Sequence, residues 1–406
     1  MKKQILLISL AVLLFACTNK DKKESVSVSS PDGKNTIILN LNNGKANYAV
    51  NHEEIKVILP SKLGFVFKNN DSLASNLEVL EVQKTVFDKT WHQVWGEKQS
   101  IRNNYNQLVV KLQDKGESKR KLEVQLRAFN DGVAFRYAYP EQGENDLVIM
   151  DELTEFNVAQ DGQTWWIPAY KTNRYEHLYT KSTLSNIDTV HTPLTIKSNS
   201  NLYLSFHEAN LKDYASYTFA HKEGTSFEVD LMPWSNGDKV RLKGSFTTPW
   251  RTIQIAENPG DLIESYIILN LNEPNKIEDT SWIETYKYLG IWWGMHISKY
   301  TFWEGPKHGA STKISKEYID ACKELGVHHL LIEGWNKGWT DAWYLNKMHE
   351  FSFTDATDDF NLKEVTDYAK ENDVKIIGYH ETGSNIISYR KQIDAGKRFQ
   401  GNSGCF

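Results

Sequence analysis

The hydrophobic pattern of this chain changes period once, near residue 285, and that change constrains the fold more than any other feature of the sequence. From about residue 26 to about residue 271 apolar and polar residues alternate in short runs: 35–41 (NTIILNL), 108–112 (LVVKL), 121–126 (KLEVQL), 133–138 (VAFRYA) and 202–206 (LYLSF). Turn residues separate such runs at Asp32-Gly33, Asn43-Gly44, 130–132 (NDG) and Asp161-Gly162. Alternation places successive side chains on opposite faces of a strand. Many short strands with regular punctuation predict a β-sandwich, here a large one over residues 25–275.

After a linker over 276–285 the pattern becomes strand–helix alternation. Residues 288–293 (YLGIWW), 329–333 (HLLIE) and 374–379 (VKIIGY) are apolar throughout, as strands covered on both faces are. Residues 314–325 (ISKEYIDACKEL) carry a helical period and stop at Gly326, a good residue just past a helix C-terminus. Further helical patterns cover 362–371 and 385–394. The chain therefore reads as a β-sandwich followed by the first three βα units of a (β/α)8 TIM barrel, over residues 286–406. A whole barrel takes about 250 residues. The last residues, 396–406 (GKRFQGNSGCF), lose the period, so the barrel is expected to be cut short. A complete small domain of three βα units is the alternative.

The N-terminus reads as an address. Lys2 and Lys3 precede an apolar run over 5–15 (ILLISLAVLLF), too short for the roughly 20 residues of a membrane-spanning helix. Residues 14–17 (LFAC) are similar to a bacterial lipobox, which makes Cys17 the expected site of acylation at the end of a 1–17 signal. A plain signal peptide is the alternative. Residues 18–30 (TNKDKKESVSVSS) would be a polar tether. These features place the protein in the cell envelope, as a periplasmic or outer-membrane lipoprotein held to the membrane by lipid.

Charge narrows the partners. There are 47 basic and 52 acidic residues, a net charge of −5, without a long run of one sign, which argues against nucleic acid. The 13 Trp, 19 Tyr and 17 Phe are an excess that either packs a core or stacks on sugar rings. Loops after the barrel-like strands gather His296, Lys299, Glu333, Trp335, Asn336, His380 and Glu381 at the face where such barrels carry their active sites. Glu333 ends the second strand and Glu381 follows the third. Neighbouring parallel strands lie about 4.8 Å apart, so both carboxylates can face one pocket. Paired carboxylates suit glycoside hydrolysis, and Trp292, Trp293, Trp335 and Trp339 nearby strengthen that reading. For Glu333 substrate binding is the preferred role. Residues 380–384 lack the second histidine of a zinc helix, and no phosphate loop, dinucleotide fingerprint or serine elbow is present.

Several ordered strings together resemble glycoside hydrolase family 97, bacterial α-glucosidases and α-galactosidases. They are 94–97 (VWGE), 101–106 (IRNNYN), 129–137 (FNDGVAFRY), 206–209 (FHEA), 248–252 (TPWRT), 269–275 (LNLNEPN), 290–293 (GIWW), 331–336 (LIEGWN) and 380–382 (HET). The resemblance implies an N-terminal β-supersandwich, a catalytic TIM barrel and calcium-dependent attack on α-glycosidic bonds of oligosaccharides. It assigns Glu381 as a general base of the inverting, α-glucosidase-like branch. It assigns Glu176, within 174–179 (RYEHLY), as a calcium ligand lent by the sandwich, and Trp292 and Glu333 as residues lining the glucose subsite. The family's catalytic acid and remaining calcium carboxylates lie on later barrel strands, without counterparts in residues 1–406, so this chain is expected to be inactive by itself. A non-catalytic glycan-binding lipoprotein is the alternative function.

Overall fold

The computed structural model describes residues 23–68, 72–143, 146–171, 176–346, 349–383 and 385–396. Contacts divide the chain into two units, Met1–Lys276 and Ile277–Phe406. Cys17, the signal segment and the start of the tether lie outside the described residues. The second part of the expected tether is a strand instead. Lys23–Ser29 pairs antiparallel with Asn35–Asn42, and its Val26/Val28 alternation turns Val28 into the core. Among the described residues no helix is long and apolar enough to cross a membrane.

The first unit is built of three sheets of seven, ten and four strands, all antiparallel. The alternation read from sequence becomes burial on one face. Asn35–Asn42 buries Ile37, Leu39 and Leu41, and Lys121–Phe129 buries Leu122, Val124 and Leu126. The main core takes many of the aromatic residues. Tyr48 lies 4.4 Å from Phe135, Phe156 lies 5.0 Å from Phe219, and Phe219 lies 4.7 Å from Phe227, all fully buried. Packing therefore accounts for much of the Phe and Tyr excess. The longest hairpin joins Leu77–His92 to Ser100–Asp114 at the edge of the ten-stranded sheet.

One ionic group lies inside this unit. Arg251 donates to both carboxylate oxygens of Glu152, at 2.9 and 2.6 Å, and to Glu208 at 2.6 Å. The Arg251 and Glu152 side chains are fully buried and Glu208 nearly so. Glu208 and Arg251 are direct partners across two strands of the ten-stranded sheet, whereas Glu152 ends a strand of the four-stranded sheet. The triad thus ties two sheets together. Thr154 and Tyr214 donate to the remaining positions on Glu152, so its oxygens are satisfied as buried charge requires. Burial, more than the charge of Glu152, pushes the Glu208 carboxyl above its ordinary value.

The second unit has a parallel sheet of three strands in sequence order, Leu289–Gly290, His329–Ile332 and Lys375–Gly378. Helices follow the strands: Trp292–His296 and Thr312–Leu325 after the first, Leu362–Glu371 after the second, Ile386–Gly396 after the third. Their ends are chemically marked. The Ser311 and Asn361 side chains cap the N-termini of Thr312–Leu325 and Leu362–Glu371, accepting from the amides of Ile314 and Glu364. Gly326 takes the left-handed conformation, with φ +65°, that ends Thr312–Leu325. Ile319, Cys322, Leu330, Ile332, Val365 and Ala369 form the helix–sheet core.

The first strand is shorter than its apolar run. It ends at Gly290, and Trp292 already begins a helix. The Trp292 ring folds back on Gly290, where an added Cβ would come within 2.2 Å of Nε1. The bulky ring is accommodated by leaving the strand line.

Candidate active site

Three parallel strands bring their C-terminal ends to one edge of the sheet. Leu331 and Ile332 pair with Ile377 and Gly378, and the Tyr379 amide continues the ladder by donating to the Ile332 carbonyl at 3.1 Å. Glu333 leaves the second strand just beyond this register. Tyr379 and Glu381 leave the third.

Glu381 is held by three donors. Tyr379 Oη donates to its Oε2 at 3.1 Å, and the amides of Thr382 and Gly383 donate to Oε1 at 2.8 and 3.0 Å. Two of the three are backbone groups of the turn that follows, so the carboxylate is fixed by its own chain. Tyr379 stands two residues before Glu381, which places both side chains on the same side of an extended segment. Burial, with the charges of Glu381 and Glu333, pushes the Tyr379 hydroxyl far above its ordinary range and keeps it a donor. Glu333 is half-buried. Burial first, and then the charge of Glu381, pushes its carboxyl up to about 7. Near neutral pH Glu333 is therefore partly protonated and able to donate a hydrogen bond. His380 stacks on Phe353 at 4.3 Å and meets the edge of Trp335 at 5.3 Å. Burial lowers its basicity, so the ring is neutral, and its Nδ1 has no partner among the described residues.

Beside Glu333 opens a cleft of about 480 Å³, within the usual range for small-molecule sites. Its polar lining includes Glu333, His296, Lys307 and Asp341, and its aromatic lining Phe302, Trp303, Trp339, Trp343 and Tyr344. Phe302 stacks on Trp339 at 5.1 Å, and Trp343 meets Trp339 edge-on at 5.7 Å. The loop carrying these rings is braced from below. Trp339 Nε1 donates to Asn336 Oδ1 at 3.0 Å, and fully buried Asn336 donates to the Ser352 carbonyl at 2.6 Å. His308 bridges the Asp359 carboxylate, at 2.8 Å, and the Gly334 carbonyl, at 3.1 Å. Gly334 has φ +96°, and a Cβ there would meet the Phe302 carbonyl at 2.9 Å, so the turn after Glu333 requires glycine.

The residues expected from sequence are only partly brought together. Glu333 lines the cleft, and Glu381 lies close enough to perturb it. Trp292 sits at the end of the first strand, half-buried against His296 at 5.5 Å, and is not among the residues lining the cleft. Trp335 is buried, with its indole N–H donated to the Tyr379 carbonyl at 3.0 Å, so it braces the third strand end. Glu176 is exposed. Among the described residues no three His, Cys, Asp or Glu side chains converge as a metal site, whereas calcium takes six to eight oxygens. The described residues thus do not by themselves fit a calcium site. Sequence reasoning missed Tyr379 and the rings at 302–303 and 343–344. Tyr379 had a signal, its two-residue spacing from Glu381; the rings lie in loops without period.

A family model described as glycosyl-hydrolase 97 N-terminal matches residues 28–274, and one described as glycoside hydrolase 97 matches residues 292–404. A glycoside hydrolase family 97 enzyme from Pseudoalteromonas sp. strain K8, solved with panose and with acarbose, is 41% identical and superposes with a TM-score of 0.86. The match covers 92% of this chain and 57% of that one. The retaining alpha-galactosidase of Bacteroides thetaiotaomicron is 21% identical over 409 residues, covering 91% of this chain and 58% of the relative. A beta-arabinopyranosidase structure, 19% identical with a TM-score of 0.71 and covering 92% of this chain and 60% of its own, shares the fold. The chain spans less than two thirds of the length of each of these proteins.

Proposed function

The chain belongs to glycoside hydrolase family 97, and on that premise we propose that it serves hydrolysis of α-glycosidic bonds in oligosaccharides, in the α-glucosidase-like, inverting manner. The observation that carries this reading is the Glu381 carboxylate, fixed by three donors at a strand end beside the partly protonated Glu333. In this reading Glu381 accepts a proton from water as the water oxygen bonds to the anomeric carbon and the glycosidic bond to the leaving oxygen breaks. Glu333, carrying its own proton, donates to a sugar hydroxyl, and Tyr379 keeps the Glu381 oxygens aimed. Trp292, assigned to the same sugar by the family resemblance, stands against His296, which lines the cleft. No described residue is assigned the proton delivered to the leaving oxygen. The choice of glucoside over galactoside is supported by the 41% identity to an enzyme that binds panose, a trisaccharide of α-linked glucose, against 21% to the retaining alpha-galactosidase.

The proposal extends to calcium, with Glu176 as one ligand, which rests on the family resemblance, and to the cell envelope, with a lipid on Cys17, which rests on the sequence pattern. No step of the chemistry above runs through the metal.

The test follows the first product by NMR from maltose or 4-nitrophenyl α-glucoside in a protein that joins this chain to the later barrel strands of its relatives, since the chain is expected to be inactive by itself. The β-anomer is expected first, and Glu381→Gln lowers turnover by about 10²-fold or more, the usual share of a general base. The α-anomer appearing first overturns the inverting assignment. An extended protein of that kind that binds panose without hydrolysing it replaces the enzyme by a glycan-binding protein.

A further inference from the structure

We propose that Trp343, together with Trp303 and Tyr344, forms a binding subsite for the sugar units beyond the one being cleaved, and that Trp343 sets the preference for longer oligosaccharides. The inference rests on the glycosidase reading of Glu333 and Glu381 and adds to it a second region of the same cleft. The rings of this loop divide into two groups. Trp335 and Trp339 are buried to 5% and 7% exposure, and both indole N–H groups are committed to protein acceptors. They are framework. Trp343 stands one ring further out, on the short helical turn Trp343–Leu345. Its contacts with Trp339, Phe351 and Tyr344 are all edge-on, with interplanar angles of 80°, 76° and 88°, so among the described residues no ring lies flat against it. Its indole N–H has no protein partner among the described residues, yet the residue lines the cleft. Tyr344 beside it is 51% exposed.

The surrounding chemistry fits a sugar better than a purely apolar ligand. A pyranose offers an apolar C–H face and a girdle of hydroxyls. The cleft offers unstacked aromatic rings together with Asp341, an acceptor, and Lys307, a donor. Glu333 marks the end where the reacting sugar sits. The aromatic rim has no role in holding one sugar at the strand ends, but it would give each additional unit a surface to cover.

The test measures equilibrium binding of glucose, maltose, maltotriose and panose to the full chain, by calorimetry and tryptophan fluorescence. Affinity is expected to rise with length, and Trp343→Ala should lower the trisaccharide-to-glucose affinity ratio by about tenfold, the equivalent of about 1.4 kcal/mol. Trp343→Phe, which keeps a ring and guards against a folding defect, should retain most of the ratio. An unchanged ratio in Trp343→Ala overturns this inference while leaving the strand-end site intact. Absence of any sugar binding in the unaltered chain overturns the glycosidase reading instead, and this inference with it.

Discussion

The protonation of Glu333 offers a direct test of the carboxylate pair. Its carboxyl is pushed from the ordinary 4.5 to about 7, with burial the larger cause and the Glu381 charge the smaller. Glu381→Gln removes that charge while its amide oxygen can still accept from Thr382 and Gly383, its NH2 facing the Tyr379 hydroxyl, which can accept. More than half of the rise should therefore survive, leaving Glu333 between about 6 and 7. The assay is 13C-NMR of glutamate δ-carbons, with the Glu333 resonance assigned by its loss in Glu333→Gln. The same group links stability to pH. Folded Glu333 keeps a proton that the unfolded chain gives up, so its contribution is fully present below about 4.5 and is lost as pH rises to about 7. At about 1.4 kcal/mol per pH unit, and discounted for its remaining contact with solvent, the loss is about 2 kcal/mol. Glu333→Gln should flatten that slope. A Glu333 resonance that titrates near 4.5, or a slope that persists in Glu333→Gln, refutes the reasoning.

Arg251→Met should destabilise the sandwich by about 3–5 kcal/mol, because it leaves Glu152 and Glu208 buried without a counter-charge. Urea denaturation gives the number, and part of the loss should be recovered at acid pH, where the carboxyls take up protons. Cys17→Ala should release the protein from membranes; a variant that survives a carbonate wash in the membrane fraction removes the lipid anchor. In a protein that joins this chain to the later barrel strands of its relatives, Glu176→Gln should raise the calcium concentration needed for half-maximal binding by equilibrium dialysis, and an unchanged titration removes Glu176 from any calcium site.

What was legible in the sequence was what is decided locally. The stop at Gly326 is short-range chemistry, and the helices read over 314–325 and 362–371 lie where the period puts them; the caps at Ser311 and Asn361 are equally local, but sequence reasoning missed them. Period-2 alternation likewise located Asn35–Asn42 and Lys121–Phe129, because one face of each strand is buried. The first parallel strand was overextended because YLGIWW has no polar break; only the Trp292 ring lying on Gly290 shows where it ends. At the site, the strand-end glutamates followed from position. The perturbation of Glu333 depends on how much water the fold removes, and the division of tryptophans into framework and cleft depends on which rings meet across loops. Neither quantity is periodic, so neither leaves a trace in the order of residues.

The Glu152–Arg251–Glu208 group also constrains how this sandwich can change over generations. Its members come from positions about 100 and 43 residues apart in the chain, yet both carboxylates share the one guanidinium of Arg251. Substitution of Arg251 passes through a protein with two carboxylates unmatched in a dry interior, whereas substitution of either glutamate leaves Arg251 its other partner but empties one of its hydrogen-bonding positions. A concerted replacement by apolar residues of similar volume avoids both intermediates. The three codons therefore behave as one heritable character. Drift at Glu208 is held back by Arg251, and a laboratory recombination that exchanges the 152 region without the 251 region should yield mostly unfolded progeny.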